Sequence, residues 1–418
     1  MGFKAPESDR DWMALEWEVG SLFSGAPVAE EDMFAGRATE VRRMLEGVLD
    51  RSKHVVLFGE RGVGKTSIAN VFWKRYNKTL QTVIAARVQA DPSDTFSSLW
   101  IKSFEELRAV SIQTGRSDLV PIETNYEQVT PDIIRRELQK CRPNAIPIII
   151  IDEFDKLKDK AARELTAHVI KSLYDNADTV NTTVILVGVA EDIRELIEDH
   201  KSLKRALTEV KMERMKTPEL NEVLDKRLRL TPLKIVPDAR WTIVTLSRGM
   251  PYYVQMLGKY SSMHTTQSHK LKIDVANVEA AMDRLIEDSG QSFQDDYKEA
   301  VYSNQSDNLF KEVLLGCALA QTDESGFFTP TNVIEPLNSI LHERKRHAHF
   351  DRHLREFISQ KRGQILIRRG DERQYRFRFS DPMMQPYIII KGIRSGMIDD
   401  ETRKKLLYRE QLSFFPNE

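Results

Sequence analysis

A glycine-rich loop that ends in lysine and threonine contains the residue types of a phosphate-binding site. It consists of Gly59, Glu60, Arg61, Gly62, Val63, Gly64, Lys65, Thr66 and Ser67. The spacing G-x-x-x-x-G-K-[ST] lies between a predicted strand at residues 54–58 and a helical pattern that starts at Thr66. Backbone N–H groups of such a loop converge on phosphate oxygens, and Lys65 would bridge the β- and γ-phosphates. The alternative is a chance glycine turn.

A second pattern supplies carboxylates at a matching position. The stretch AIPIIIIDEFDKL contains four consecutive isoleucines, followed by Asp152 and Glu153. An unbroken apolar run indicates a strand that is buried on both faces of a parallel sheet. We expect Asp152 and the Thr66 hydroxyl to hold Mg²⁺, with Glu153 polarising the attacking water, so that the pair favours ATP hydrolysis to ADP. Alternatively, Glu153 only caps the next helix.

Strand-like and helical segments alternate over the first half of the chain. Besides residues 54–58, strands are predicted at residues 82–88, 146–151, 183–189 and 207–212. Such alternation is typical of an α/β protein with a parallel sheet and helices on both faces.

With these motifs, residues 22–390 resemble an AAA+ ATPase of the branch that contains origin-recognition initiators and STAND switch ATPases. The resemblance implies a parallel five-stranded P-loop core, an all-α lid and a C-terminal winged helix-turn-helix domain. The corresponding segments are a linker (1–33), the ATPase domain (34–213), the lid (214–300), the winged-helix domain (301–394) and a tail (395–418).

The resemblance also assigns nucleotide contacts outside the loop. In this family the N-terminal linker covers the adenine, which makes Pro27, Val28 and Phe34 candidate base contacts, with Arg37 completing an F-x-G-R signature. The alternative is that these residues only pack the linker onto the core. In the lid, Pro251 belongs to a G-x-P motif like that of STAND proteins, whose proline responds to nucleotide state.

Two further family positions concern γ-phosphate sensing. The polar sensor at the tip of the fourth strand lacks its usual Asn or Ser, and Glu191 and Asp192 are the nearest polar residues. Arg205 is the candidate arginine finger, which would reach the nucleotide of a neighbouring copy and implies an ATP-dependent homo-oligomer. A solvent-exposed helix charge is the alternative for Arg205.

The C-terminal third carries a local excess of positive charge. Residues 343–378 contain twelve Lys/Arg and five acids, whereas the whole chain has a net charge of −1. Phe350, Leu354, Phe357 and Ile358 share one face of a predicted helix within residues 346–361, and an alternating pattern about Gly370 predicts a β-hairpin. Candidate contacts to double-stranded DNA are Lys345, Arg352, Arg355, Arg368, Arg369 and Arg373. In STAND proteins, by contrast, the winged helix is an internal clamp.

Sequence composition also bears on the cellular location of the protein and on its cysteines. The sequence shows no secretory signal pattern and no apolar run long enough to span a membrane, so we expect a cytoplasmic protein. Cys141 and Cys317 match no metal or redox spacing and are interpreted as reduced thiols. The favoured function is a slow Mg-ATP-dependent ATPase that acts as a switch or assembly platform and contacts DNA. The alternative is a STAND-like signalling ATPase, for example in antiviral defence, with a separate effector protein.

Overall fold

The computed structural model describes residues 5–75, 82–190, 203–304, 308–323, 325–371, 374–399, 401–403 and 405. The chain divides into two compact units, residues 26–213 and residues 1–25 with 214–418. The predicted boundaries at residues 33, 300 and 394 remain predictions.

In the described part of the first unit, five parallel strands form one sheet in the order β2-β3-β4-β1-β5. Their bounds are β1 His54–Gly59, β2 Thr82–Gln89, β3 Ala145–Asp152, β4 Thr183–Val189 and β5 Leu207–Met212. All eight residues of β3 are buried, which explains its continuous aliphatic sequence. The predicted α/β class and the parallel five-stranded sheet are therefore confirmed.

Helices cover this sheet. They are α2 Ala38–Leu49, α3 Lys65–Val71, α4 Phe96–Gln113, α5 Pro131–Gln139 and α6 Lys160–Asp175. Trp100 and Phe104 of α4 share a buried cluster with Ile149 and Ile151 of β3. On the opposite face, α2 packs against β1 and β5. Thr95 caps α4 by accepting a hydrogen bond from the Ser98 amide at 3.2 Å.

Strand register brings the chemically important segments to one edge. Gly59, the last residue of β1, is paired with Val189 of β4 and with Met212 of β5. At the same edge, Gln89 of β2 is paired with Asp152 of β3. Because all strands are parallel, the glycine-rich loop after β1 lies beside the end of β3, where Asp152 is followed by Glu153. We call the segment that starts at Asp152 the acidic turn.

In the second unit, α1 Asp9–Leu22 packs against α9. The predicted lid region contains helices and a two-stranded parallel ladder, β6 Lys234–Ile235 with β7 Lys272–Ile273. Its helices are α7 Thr217–Leu228, α8 Pro237–Leu246, α9 Pro251–Gln267 and α10 Val275–Asp288. Arg248 and Gly249, between α8 and α9, both have left-handed backbone conformations, with φ of 50° and 80°.

The rest of this unit combines helices with an antiparallel hairpin. Its elements are α11 Gln291–Val301, α12 Phe310–Leu319, α13 Pro330–Leu341, α14 Asp351–Phe357, β8 Leu366–Arg369, β9 Arg376–Phe379 and α15 Met384–Arg394. Phe328 forms an antiparallel bridge with Phe377, adding a third strand position beside β9. Arg394 of α15 and Asp283 of α10 form a bidentate ion pair, with both N–O distances 2.6 Å.

The helical pattern at residues 346–361 corresponds to a shorter helix than the sequence predicted. The α-helix spans Asp351–Phe357, with short 3-10 turns at His347–His349 and Gln360–Arg362. Phe350, Leu354 and Phe357 are buried, as the pattern predicted. Separately, none of the helices within the described ranges has the length and apolarity to cross a membrane.

Candidate functional site

The glycine-rich loop leaves β1 in a conformation that glycine makes possible. Gly62 and Gly64 have positive φ values of 85° and 97°, in the left-handed region. At Gly59, an added Cβ atom would collide with the carbonyl oxygen of Met212 on the neighbouring strand. The loop thus needs glycine for backbone curvature and for its close approach to β5.

Lys65 opens α3, and its side chain folds back over the loop. Its Nζ donates to the carbonyl oxygens of Gly59 and Glu60, at 3.0 and 2.7 Å. Burial lowers the pKa of Lys65 to about 8, against the opposing effect of the Asp155, Asp152 and Glu60 carboxylates. The amine therefore remains mostly protonated at neutral pH and supplies positive charge at the loop.

Thr66 and Asp152 meet as the sequence predicted. The Thr66 hydroxyl donates to Asp152 Oδ2 at 2.9 Å, although the two residues lie 86 positions apart. A hydroxyl and a carboxylate are hard oxygen donors that suit Mg²⁺. In the described residues there is no group of three or more His, Cys, Asp or Glu that could hold a metal. Remaining ligands for Mg²⁺ would therefore come from water and phosphate oxygens, as is usual for this ion.

Glu153 follows directly and is held by two side chains. Its backbone is left-handed, with φ 54°. Lys156 Nζ lies 2.7 Å from Glu153 Oε2, and Gln89 Nε2 donates to the same oxygen. Burial alone would raise the pKa of Glu153, but these hydrogen bonds bring it below its usual value. The carboxylate is thus ionised, as a base must be, and its Oε2 atom is already engaged.

Three further side chains at this edge were not identified from the sequence. Arg87 of β2 lies 3.5 Å from Asp152 Oδ2, Gln89 contacts Glu153, and Asp155 Oδ1 accepts a hydrogen bond from the Val189 amide at 2.8 Å. Asp155 could have been found from the acid-rich stretch DEFD. Arg87 and Gln89 share one face of β2, but their position beside Asp152 and Glu153 depends on the pairing of β2 with β3, for which the sequence carries no local signal.

The predicted adenine-side residues lie next to the loop helix. The Val28 amide donates to Ser67 Oγ at 3.0 Å, and Pro27 is exposed beside it. Phe34 is buried. These contacts bring the segment around residue 28 against α3, and a base contact by Pro27, Val28 or Phe34 remains a prediction.

Arg37 is buried against the backbone of the glycine-rich loop, and its predicted nucleotide contact stays a prediction. Its side chain is 2% exposed and donates to the carbonyl oxygens of Val63, at 2.9 Å, and Glu213, at 2.7 Å. The buried guanidinium therefore stabilises the glycine-rich loop by a hydrogen bond to its backbone. Elsewhere in the loop, Glu60 and Val63 are buried and Arg61 is exposed.

The other residues predicted to respond to nucleotide lie outside the glycine-rich loop and the acidic turn. Arg205 is exposed, and its carbonyl accepts a hydrogen bond from Lys53, which precedes β1. Pro251 is the first residue of α9, in the second compact unit. Glu191 and Asp192 lie outside the described residues.

The basic residues of the C-terminal part are distributed over α14 and the hairpin. On α14, Arg352 pairs with Glu356 at 2.9 Å and Arg355 pairs with Asp351 at 2.6 Å, both arginines being well exposed. Lys345 lies before this helix, which begins at Asp351, and its amide donates to Oδ1 of Asn338 in α13. Arg373 lies outside the described residues.

The hairpin register separates its arginines by face. Arg369 is directly opposite Arg376, and Ile367 is opposite Arg378, so these residues share one face. Arg368 lies opposite Phe377 on the other face. The guanidinium groups of Arg376 and Arg378 lie 4.6 and 4.9 Å from the centre of the Phe327 ring. Arg376 and Arg378 were not among the predicted contacts.

Comparison with known proteins agrees with this geometry. Residues 49–197 match the family model described as AAA domain. No curated protein matches the chain. The Walker-type ATPase PABY2304 of Pyrococcus abyssi is 16% identical, with a TM-score of 0.50, covering 88% of this chain and 99% of that one.

Two other solved structures have lower TM-scores. The ORC1 protein of Aeropyrum pernix, solved in complex with DNA, is 15% identical, with a TM-score of 0.47 and coverage of 89% of this chain and 94% of that one. The RuvB Holliday junction branch migration motor of Thermotoga maritima is 15% identical, with a TM-score of 0.43 and coverage of 90% and 99%.

The family match includes both the glycine-rich loop and the acidic turn after β3. Residues 49–197 are therefore similar to the AAA domain family over the part of the chain that carries both motifs.

Proposed function

We propose that this protein binds and hydrolyses ATP and that its nucleotide state controls assembly. The observation that carries the proposal is the 2.9 Å contact between Thr66 and Asp152, beside a loop in which Gly62 and Gly64 have positive φ. This contact unites two motifs that are far apart in the sequence, which a chance glycine turn would not do.

The roles of the residues follow from their positions. Loop amides and Lys65 would hold the phosphates, while Thr66 and Asp152 would hold Mg²⁺. When bound, Mg-ATP supplies the anhydride bond to be cleaved and a cation that offsets its negative charge. Glu153 would orient a water molecule and accept its proton, once its carboxylate is released from Gln89 and Lys156. The Lys156 and Gln89 contacts support slow basal turnover.

Nucleotide binding by a Lys65→Ala variant tests this proposal. We expect affinity for a fluorescent ATP analogue to fall at least about 100-fold, because a buried charged contact to phosphate is lost. Lys160→Ala, which removes an exposed lysine from α6, is the matched control and should bind like the wild type. Wild-type affinity in Lys65→Ala would refute the site.

We further propose that residues 301–394 form a winged helix that contacts double-stranded DNA. The order α12, α13, α14 and hairpin, with Phe328 as a third strand position, supports this assignment. Strands β8 and β9 contain four arginines in eight residues and no acid. Such a surface favours phosphate contacts through counterion release.

Fluorescence polarisation with a labelled duplex of arbitrary sequence, over a salt series, tests the DNA contact. We expect affinity to fall steeply with salt and to differ between ATP and ADP, because partner binding must change with nucleotide for a switch. Absence of salt-dependent binding in both nucleotide states would rule DNA contact out.

The alternative proposal is a STAND-like signalling ATPase with an effector supplied by another protein, in which the winged helix is a clamp. Its support is that neighbouring acids offset part of the positive charge that DNA contact would need, because Arg352, Arg355 and Arg376 pair with Glu356, Asp351 and Asp323. In that case charge reversal at these arginines should change ATPase rate or assembly without any DNA effect.

A further inference from the structure

The turn after β3 connects three other elements of the sheet edge. Asp152 contacts Thr66 of α3, and Glu153 contacts Gln89 of β2. Asp155 contacts the amide of Val189, the last residue of β4. The first two acids have direct roles in the proposed reaction, whereas Asp155 is assigned no contact with water, metal or phosphate there.

The Asp155 contact occupies a defined place in the sheet. The ladder between β3 and β4 runs from Ile148 with Thr183 to Ile151 with Leu186. The last three residues of β4 extend beyond it, and on their other side Val189 is paired with Gly59. The Asp155 carboxylate therefore takes the place of a strand partner for β4, directly beside the first glycine of the phosphate-binding loop.

This contact is also exposed enough to open. The Val189 side chain is 46% exposed, and Asp155 is half-buried. A hydrogen bond at such a strand end is among the least protected of a sheet. The bond links the end of β4 to the segment that carries Asp152, the last residue of β3, and Glu153, which follows it.

We propose that Asp155 is a positioning residue of the ATPase site, which fixes the end of β4 against the acidic turn. The inference rests on the proposed ATPase function and deepens it. The positioning role depends on the hydrogen bond from the Val189 amide rather than on the negative charge of Asp155. Asp155→Asn should therefore keep the role, because its Oδ1 atom can still accept this hydrogen bond. Asp155→Ala should lose the role.

A matched control comes from the same segment. Asp159 accepts a hydrogen bond from the Ala161 amide at 2.9 Å and caps α6 away from the loop. Asp159→Ala therefore also removes one carboxylate-to-amide bond, and it reports the purely structural cost of such a loss.

The experiment combines ATPase kinetics, ADP affinity and hydrogen exchange of a peptide that spans β4. For Asp155→Ala we expect a kcat at least about tenfold lower, since small misplacements in a site are costly. ADP affinity should stay within about threefold, and Val189 exchange should be about tenfold faster because its bond is lost. Asp155→Asn should restore both kcat and exchange, and Asp159→Ala should leave both unchanged.

Two results would overturn the proposal if the wild type is an active ATPase. One is wild-type kcat and wild-type β4 exchange in Asp155→Ala. The other is an Asp155→Asn variant as impaired as Asp155→Ala, which would show that the charge matters instead. If the wild type hydrolyses no ATP, the proposed function fails. The positioning role would still be established if ADP slows hydrogen exchange of the β4 peptide in the wild type but not in Asp155→Ala. If ADP slows exchange equally in the two proteins, the positioning role is rejected.

Discussion

Glu153 is the residue on which hydrolysis depends in the proposed site. Glu153→Gln keeps the shape of the side chain and removes its basicity, so we expect kcat to fall by about two orders of magnitude. ATP affinity should stay within about threefold, because the phosphates are held by the loop and Lys65. Steady-state ATPase assays and fluorescent-nucleotide titrations measure both quantities. Glu164→Gln, at a partly exposed position of α6, is the control, and a wild-type rate in Glu153→Gln would remove Glu153 from the mechanism.

Gln89 restrains the carboxylate of Glu153 and lowers its pKa. In Gln89→Ala we expect basal kcat to rise several-fold, because a released carboxylate can reach water. The hydrogen bonds from Lys156 and Gln89 lower the pKa of Glu153, so losing one raises this pKa. The acid limb of the kcat–pH profile should therefore move to higher pH. A lower rate with an unmoved acid limb would show instead that Gln89 places Glu153 productively.

Among individual residues, the sequence identifies those that belong to a motif with fixed local spacing. The loop from Gly59 to Thr66 and the pair Asp152–Glu153 are recognisable because each motif is continuous in the chain. Gln89 and Arg87 acquire meaning only through the pairing of β2 with β3, which no local pattern encodes. Arg37 illustrates the opposite case, since its motif was recognised but its burial against Val63 and Glu213 was not.

Among the secondary-structure elements, strands were the most predictable. Strands β4 and β5 have the predicted bounds, and β3 exceeds its prediction by one residue at each end, because buried parallel strands are continuous apolar runs. The pattern at residues 346–361 gave the buried face correctly but not the helix length. Phe350, with φ −128° and ψ 0°, is not helical, and apolar periodicity does not report such a break.

The hairpin face formed by Arg369, Arg376 and Arg378 offers a test at the level of one element. Arg369→Ala combined with Arg376→Ala should weaken duplex binding and reduce the slope of log affinity against log salt by about two, one for each lost phosphate contact. Arg42→Ala with Arg136→Ala removes two exposed arginines from the other compact unit and serves as the control. An unchanged slope in the hairpin variant would favour the clamp alternative.

For the stability of the whole molecule, His54 has the clearest pH effect. Its Nδ1 accepts a hydrogen bond from the Val184 amide at 3.0 Å, and burial lowers its pKa from 6.5 to about 4. The unfolded chain binds this proton more readily, so stability is full above pH 6.5 and decreases as pH falls towards 4. At pH 5 the loss should be about 2 kcal/mol.

Urea unfolding at pH 7.5 and pH 5 measures this effect. His54→Asn can still accept from Val184 without titrating, so its stability should change much less between the two pH values. His168→Asn, at an exposed position on α6, should behave like the wild type. An equally steep decrease in His54→Asn would assign the pH dependence to other groups.

The position of Arg205 bears on whether the protein assembles into oligomers. Arg205 lies at the amino end of β5, whereas the loop lies at the carboxyl end of the adjacent parallel strand β1. A strand of six residues spans about 20 Å, so Arg205 cannot reach the loop of its own chain. If it contacts a γ-phosphate, that nucleotide belongs to another copy. Arg205→Ala should then lose ATPase activity and ATP-dependent assembly on a sizing column, while retaining nucleotide affinity.

Mixing two inactive variants distinguishes this arrangement from a local effect of Arg205. By this proposal, Lys65→Ala does not bind ATP but supplies Arg205, whereas Arg205→Ala binds ATP and lacks only the arginine. An equal mixture should recover activity, up to about half of the wild-type rate, because each pair of one Lys65→Ala chain and one Arg205→Ala chain can form one productive head-to-tail junction. Lys204→Ala, on the same exposed turn, should remain active alone. A mixture as inactive as its components would show that Arg205 does not act between subunits.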